Sequence, residues 1–154
     1  MISTKGRYAL RLLVAIGRHP AGEYVPLKEV ARQQKISEKY LEAIVRRLVA
    51  SGILEGQRGR GGGYRLTRPA EEYSVGEILA IMEGTLAPVA CMREDAPVCE
   101  RTSVCETLPL WKQFYNLTQT YFNGVSIADL AAGDTLQTPT RPAAERGFVD
   151  GAGI

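Results

Sequence analysis

Three cysteines stand within fifteen residues, Cys91, Cys99 and Cys105 of CMREDAPVCERTSVC, and the chain holds no others. An odd number of thiols leaves one over after any disulfide pairing. Nothing at the N-terminus reads as an export signal, so the expectation is a reduced, cytoplasmic site. Thiolates at this density suit a metal or a metal cluster. Structural zinc usually takes pairs two to four residues apart; the gaps here are seven and five residues, enough for a loop to wrap something larger than a single ion. Three structural or redox-active thiols are the plainer alternative. Pro88, Pro97 and the lack of any hydrophobic period make this segment a loop, so its flanking elements must position it.

Charge separates those elements into two groups. Residues 1–70 carry 14 Lys and Arg against 5 Glu, a net +9, and residues 71–154 carry 5 against 12, a net −7, which together return the chain's +2. A basic part joined to an acidic part suits a polyanion-binding module coupled to a portion that stays off the polyanion. The apolar runs are only a few residues long, which excludes an expected membrane span. A single histidine, His19, no nucleotide-binding loop and no catalytic constellation argue against an enzyme.

Hydrophobic spacing predicts the elements. A first helix starts after Ser3 and Thr4, with Tyr8, Ala9, Leu12, Leu13 and Ile16 on one side, and ends before HPAGEY. A short helix follows Pro26, burying Leu27, Val30 and Ala31. In SEKYLEAIVRRLVASG, Ser37 caps a third helix, Gly52 stops it, and Leu41, Ile44, Val45, Leu48 and Val49 form its apolar stripe. Two strand-like runs then flank a tip of Gly59, Arg60, Gly61, Gly62 and Gly63, a hairpin able to lie against another surface. SVGEILAIMEG predicts a fourth helix with a Ser74–Glu77 capping box. After Pro109 a long helix places Trp111, Phe114, Leu117, Tyr121 and Phe122 on one side, too much apolar surface to stand uncovered.

The predicted fold is therefore mainly α with a small β-hairpin: a winged helix-turn-helix domain over 1–70, then the cysteine loop and dimerisation helices over 71–132. Residues 133–154 are expected to be a disordered tail. In such a fold the third helix enters the major groove. Lys39, Glu42 and Arg46 lie about a turn apart on its exposed face, where Arg pairs with guanine and Glu accepts from cytosine. Arg58 and Arg60 at the hairpin suit a narrow minor groove. An ordinary solvated helix face and an ordinary hairpin turn are the plainer readings of the same residues.

The motifs STKGRYALRLL, LKEVARQQKISEKYLEAIVRRLVASGIL, RGRGGGYRL, SVGEILAIMEG and LAPVAC closely resemble the IscR-type family of bacterial transcription regulators, whose members include NsrR, RirA and CymR. The resemblance covers about residues 1–130. It implies a homodimer held by a long crossed C-terminal helix and bound to a pseudo-palindromic double-stranded DNA operator. By position, Ser3, Thr4, Lys5 and Tyr8 look like DNA-backbone contacts. Ser37, Lys39, Tyr40, Glu42 and Arg46 fall on the matching recognition helix, and Arg58, Gly61 and Gly62 on the matching wing. Ala43 stands where the best-known member has a base-reading Gln.

Cys91, Cys99 and Cys105 match the three cysteines that hold an iron-sulfur cluster in the cluster-binding members. The fourth ligand departs from the family: Leu108 stands where the regulator of cluster assembly has His, and Arg7 where the nitric-oxide sensor has a carboxylate. Glu94, Asp95, Glu100, Glu106, a partner residue, or an exogenous thiol or water remain as fourth ligands. The gaps resemble those of RirA, so a 4Fe-4S cluster with a replaceable fourth site is expected, with 2Fe-2S as the runner-up. The resulting expectation is a cytoplasmic homodimeric regulator, a repressor, sensing cluster, iron or redox status. A cluster-free regulator of the CymR kind, controlled by a partner protein or thiol oxidation, is the alternative.

Overall fold

Four serines open four helices by the same bond. Ser3 accepts the Gly6 N–H (3.3 Å), Ser37 that of Tyr40 (3.2 Å), Ser74 that of Glu77 (3.0 Å) and Ser126 that of Asp129 (3.0 Å). Each thereby satisfies one of the backbone donors that a helix start leaves unpaired. The helices they begin are α1 (Thr4–Gly17), α3 (Glu38–Ala50), α4 (Val75–Glu83) and α6 (Ile127–Ala132). Between them lie α2 (Leu27–Gln34), entered from Pro26, and α5 (Leu108–Gly124), with Pro109 in its first turn. The computed structural model describes residues 2–133; the expected tail, Gly133 apart, lies outside the described residues.

Strands β1 (Leu54–Gln57) and β2 (Gly63–Leu66) pair antiparallel, Leu54 opposite Leu66 and Gln57 opposite Gly63. Tyr64 also exchanges two 2.9 Å backbone bonds with Val25, which fastens the α1–α2 connection to the hairpin. Gly63 permits that approach: at φ +151°, a Cβ there would lie 2.2 Å from the Val25 carbonyl oxygen. No side chain fits such a gap.

One core forms where the predicted stripes meet. Ala9, Leu12 and Leu13 of α1 and Leu41 and Leu48 of α3 are wholly enclosed, and Ile44 nearly so. Ile78 of α4 and Ile127 of α6 join the same cluster, so the hydrophobic core continues past residue 70. Each enclosed Leu or Ile contributes about 1.5–3 kcal/mol relative to exposure. Paired bonds between Val75 and Val125 (2.8 Å) and between Ile127 and Tyr73 (2.9 Å) set the entries to α4 and α6 side by side.

Details depart from expectation for identifiable reasons. Val49 lies at the edge of the α3 stripe and is 41% exposed. Glu77 does not close a capping box, because its carboxylate takes the Arg68 guanidinium at 2.7 Å. Helix α6 is absent from the sequence prediction, yet it carries a complete capping box between Ser126 and Asp129. On α5 the exposed apolar face is Leu110, Phe114, Leu117 and Tyr121, whereas Trp111 is half-buried and Phe122 turns inward against Val75, Leu79 and Val125.

Candidate functional site

Burial of Leu41, Ile44, Val45 and Leu48 fixes which way α3 faces, and Lys39, Glu42 and Arg46 emerge exposed on the other side. Tyr40 is half-buried, its ring meeting that of Tyr8 edge to face at 5.6 Å, and the Arg11 guanidinium lies 5.3 Å from the Tyr8 ring. These contacts lock the first turn of α3 to α1. Ser37 uses its hydroxyl as the cap of α3. The Ser3 hydroxyl is engaged twice, accepting from Gly6 and donating to the Glu83 carboxylate at 2.9 Å, while Thr4 and Lys5 beside it are exposed.

The hairpin's arginines divide by position. Near its base, Arg65 is bonded to Glu55 and stacks 4.6 Å from the Tyr24 ring, and Arg68 pairs with Glu77 and lies 4.3 Å from the Tyr73 ring. Its bond to Glu55 raises the Arg65 pKa above the ordinary value. At the tip, Arg58 and Arg60 are exposed and make no hydrogen bond or ion pair with the other described residues. Thus the tip carries the uncompensated positive charge, and an unpaired exposed guanidinium is what a phosphate needs. Gly59 (φ +91°) and Gly61 (φ +76°) turn the tip, and a Cβ on Gly62 would lie 2.2 Å from the Gln57 carbonyl.

The three thiols lie between α4 and α5 on a segment built of successive tight turns, among them Met92 to Val89 and Thr102 to Cys99. All three are free; Cys91 is exposed, and Cys99 and Cys105 are half-buried. Cys105 Sγ lies 3.4 Å from Thr107 Oγ1. Hydrogen bonds from the Thr107 side chain, then from its backbone, lower the Cys105 pKa by favouring the thiolate. Among the described residues no group of three or more His, Cys, Asp or Glu stands together as a metal set. Glu94, Asp95, Glu100 and Glu106 are exposed along the same loop, and Leu108 opens α5 with its N–H on the Cys105 carbonyl at 3.3 Å. His19 is apart from them, 3.4 Å from Glu23.

The sequence reading missed the bonds that hold this face in place. Arg47 donates to the Ile81 and Met82 carbonyls, each at 3.0 Å, and Glu83 binds Ser3 across eighty residues of chain. No local pattern announces a pair so far apart. The capping signature of α6 was readable as Ser126 followed three residues later by Asp129.

Three helices followed by a glycine-tipped hairpin, with the third helix and the tip exposed, define a winged-helix DNA-binding protein. The chain belongs to the Rrf2 family, whose model, described as "Iron-dependent Transcriptional regulator", matches residues 2–133. It is accordingly a transcription regulator and not an enzyme. The protein named rrf2 of Nitratidesulfovibrio vulgaris is 36% identical over 129 residues, covering 84% of this chain and 85% of that one. IscR of Aliivibrio salmonicida is 28% identical over 88% of this chain and 80% of its own. Among solved structures, CymR of B. subtilis, described as its global cysteine regulator, superposes with a TM-score of 0.71 at 29% identity, covering 88% of this chain and 98% of that one. IscR of T. potens does so with a TM-score of 0.66 at 26% identity, over 86% and 87%. No helix among the described residues is long and apolar enough to cross a membrane.

Proposed function

We propose that this protein is a cytoplasmic, homodimeric repressor that binds a pseudo-palindromic DNA operator and reads iron-sulfur status through Cys91, Cys99 and Cys105. The observation that carries the sensing role is the donor set: three free thiols, none fully buried, on one loop between α4 and α5. That chemistry fits iron-sulfur ligation, and the loop holds only one short 3-10 turn, Ala90–Met92, around Cys91, so little regular structure opposes bringing its thiols together. When bound, a cluster supplies ligation that is sensitive to iron, oxygen and redox state. A 4Fe-4S cluster with a replaceable fourth position is favoured over 2Fe-2S, since neither Leu108 nor Arg7 is a ligand.

Residues 1–70 form the DNA-reading part in this proposal, and residues 71–132 the sensing and dimerisation part. Lys39, Glu42 and Arg46 read bases while Ser37 and Tyr40 hold the start of α3. Ser3, Thr4, Lys5 and Tyr8 approach the backbone, with Ser3 placing the start of α1, because its N–H and hydroxyl are both bonded to Glu83. Arg58, Arg60, Gly61 and Gly62 follow a groove. The exposed face of Leu110, Phe114, Leu117 and Tyr121 packs against the same face of a second copy.

Anaerobic treatment with ferrous iron and sulfide tests the sensing role. Thiolate-to-iron absorption that each of Cys91→Ala, Cys99→Ala and Cys105→Ala removes supports it; a colourless wild type overturns it. A colourless wild type whose DNA affinity changes on thiol oxidation would favour the second reading, a cluster-free regulator. Likeness to CymR supports that reading.

A further inference from the structure

Ile81, Met82 and Glu83 end α4, and Gly84, at φ +78°, turns the chain out of it toward the thiol loop. The last carbonyls of a helix have no partners within it. Two of them here are taken by Arg47 of α3, whose guanidinium donates to the Met82 and Ile81 oxygens at 3.0 Å each. Glu83, the next residue, turns its carboxylate to the start of α1, where it accepts the Ser3 N–H at 3.0 Å and the Ser3 hydroxyl at 2.9 Å. A carboxylate there also complements the positive end of the α1 dipole. Three consecutive residues at the end of α4 are thus bonded to the two helices that present Thr4, Lys5, Lys39, Glu42 and Arg46.

Arg47 points about 100° away from its neighbour Arg46 around the helix axis. Its side chain instead lines a crevice with Lys5, Tyr40, Ala43, Ile44 and Met82, between α1, α3 and α4. A planar guanidinium holding two adjacent backbone carbonyls fixes direction as well as distance. Any tilt or unwinding of the last turn of α4 must therefore carry α3 with it or break both bonds. Cys91 lies only seven residues beyond Gly84.

We infer that Arg47 is a positioning residue, with Glu83 of α4 as its counterpart toward α1, through which the last turn of α4 couples the thiol loop to the pose of the DNA-reading helix. The inference rests on the proposed DNA-reading role of α3. Linkage requires the coupling to run both ways: if the loop sets α3, DNA on α3 must alter the loop.

The test uses the full chain without metal and a duplex selected by the wild-type protein from a random-sequence pool. Hydrogen exchange is read over residues 84–92, with and without that duplex. Wild type is expected to change its exchange there on binding. Arg47→Met, which keeps the stem but loses both bonds, is expected to lose that response at duplex concentrations that still saturate it. Arg47→Lys should restore part of it, and Glu83→Ala should weaken it. An equal response in wild type and Arg47→Met, or no response in wild type, overturns the inference. Should Arg47→Met fail to melt cooperatively, the comparison of wild type with Arg47→Lys and Glu83→Ala decides it by the same criterion. Because no cluster is present, a protein that takes up no iron overturns the sensing proposal alone. Failure to select any duplex overturns the DNA-reading proposal and this coupling with it.

Discussion

The Tyr73 hydroxyl lies 2.8 Å from Thr67 Oγ1, at the end of a side chain that is wholly enclosed in the core. The same hydroxyl accepts the Arg68 N–H at 2.8 Å and reaches the Ile53 carbonyl at 3.2 Å. One residue ahead of α4 therefore secures both arms of the hairpin. Tyr73→Phe leaves those partners short of a bond, and an unsatisfied buried polar group costs about 1–3 kcal/mol. Urea unfolding should show a lower midpoint with an unchanged slope.

Arg58→Ala with Arg60→Ala should weaken DNA binding and flatten its dependence on salt. Each lost phosphate contact lowers the slope of log affinity against log salt by about 0.9. Affinity titrations at several salt concentrations read it directly, and an unchanged slope would remove the tip from the interface. Glu42→Ala should instead alter which sequences are selected.

Phe114→Asp places a charge on the 53% exposed ring position of the apolar α5 face. If that face meets a second copy, a buried unpaired carboxylate opposes association and the protein becomes monomeric. Sedimentation velocity distinguishes the outcomes; an intact dimer would locate the interface elsewhere.

The Cys105 thiol should react with an alkylating agent at lower pH than an ordinary cysteine, because only the thiolate is nucleophilic and the Thr107 hydrogen bond favours it. In a Cys91→Ser, Cys99→Ser background the rate against pH reports this thiol alone. Thr107→Val removes the leading cause and should move the midpoint upward. A thiol whose folded pKa is depressed adds stability above its unfolded value, and that contribution is lost as pH falls through the folded one.

If the loop holds a cluster whose fourth position is open, supplying a ligand there should slow its loss. Leu108→His puts an imidazole three residues beyond Cys105, at the helix start whose N–H already bonds the Cys105 carbonyl. After anaerobic loading, absorbance in air should decay more slowly than in wild type. Equal decay would mean that a native residue already fills the position.

Much of the fold was legible because it rests on local rules. The stripe of Leu41, Ile44, Val45 and Leu48 specifies both a helix and its buried side, and Ser37 and Ser74 announce starts that the structure keeps. Charge asymmetry and the glycine tip were likewise readable, since net charge is a sum over residue types and glycine is the residue that most readily takes positive φ. Helix α6 escaped notice because six residues give too short a period to detect.

By itself, then, the order of residues determined the helices other than α6, the hairpin, the exposed cationic side chains and the three thiols on one loop. Tertiary structure alone decided that Glu55 and Glu77 neutralise Arg65 and Arg68 near the base of the hairpin while its tip leaves Arg58 and Arg60 unpaired, and that Arg47 and Glu83 pin the end of α4 to α3 and α1. The physical reason is range: capping and periodicity act within a few residues, whereas a hydrogen bond to a carbonyl or a carboxylate across 35 or 80 residues exists only after the core has brought its two ends together.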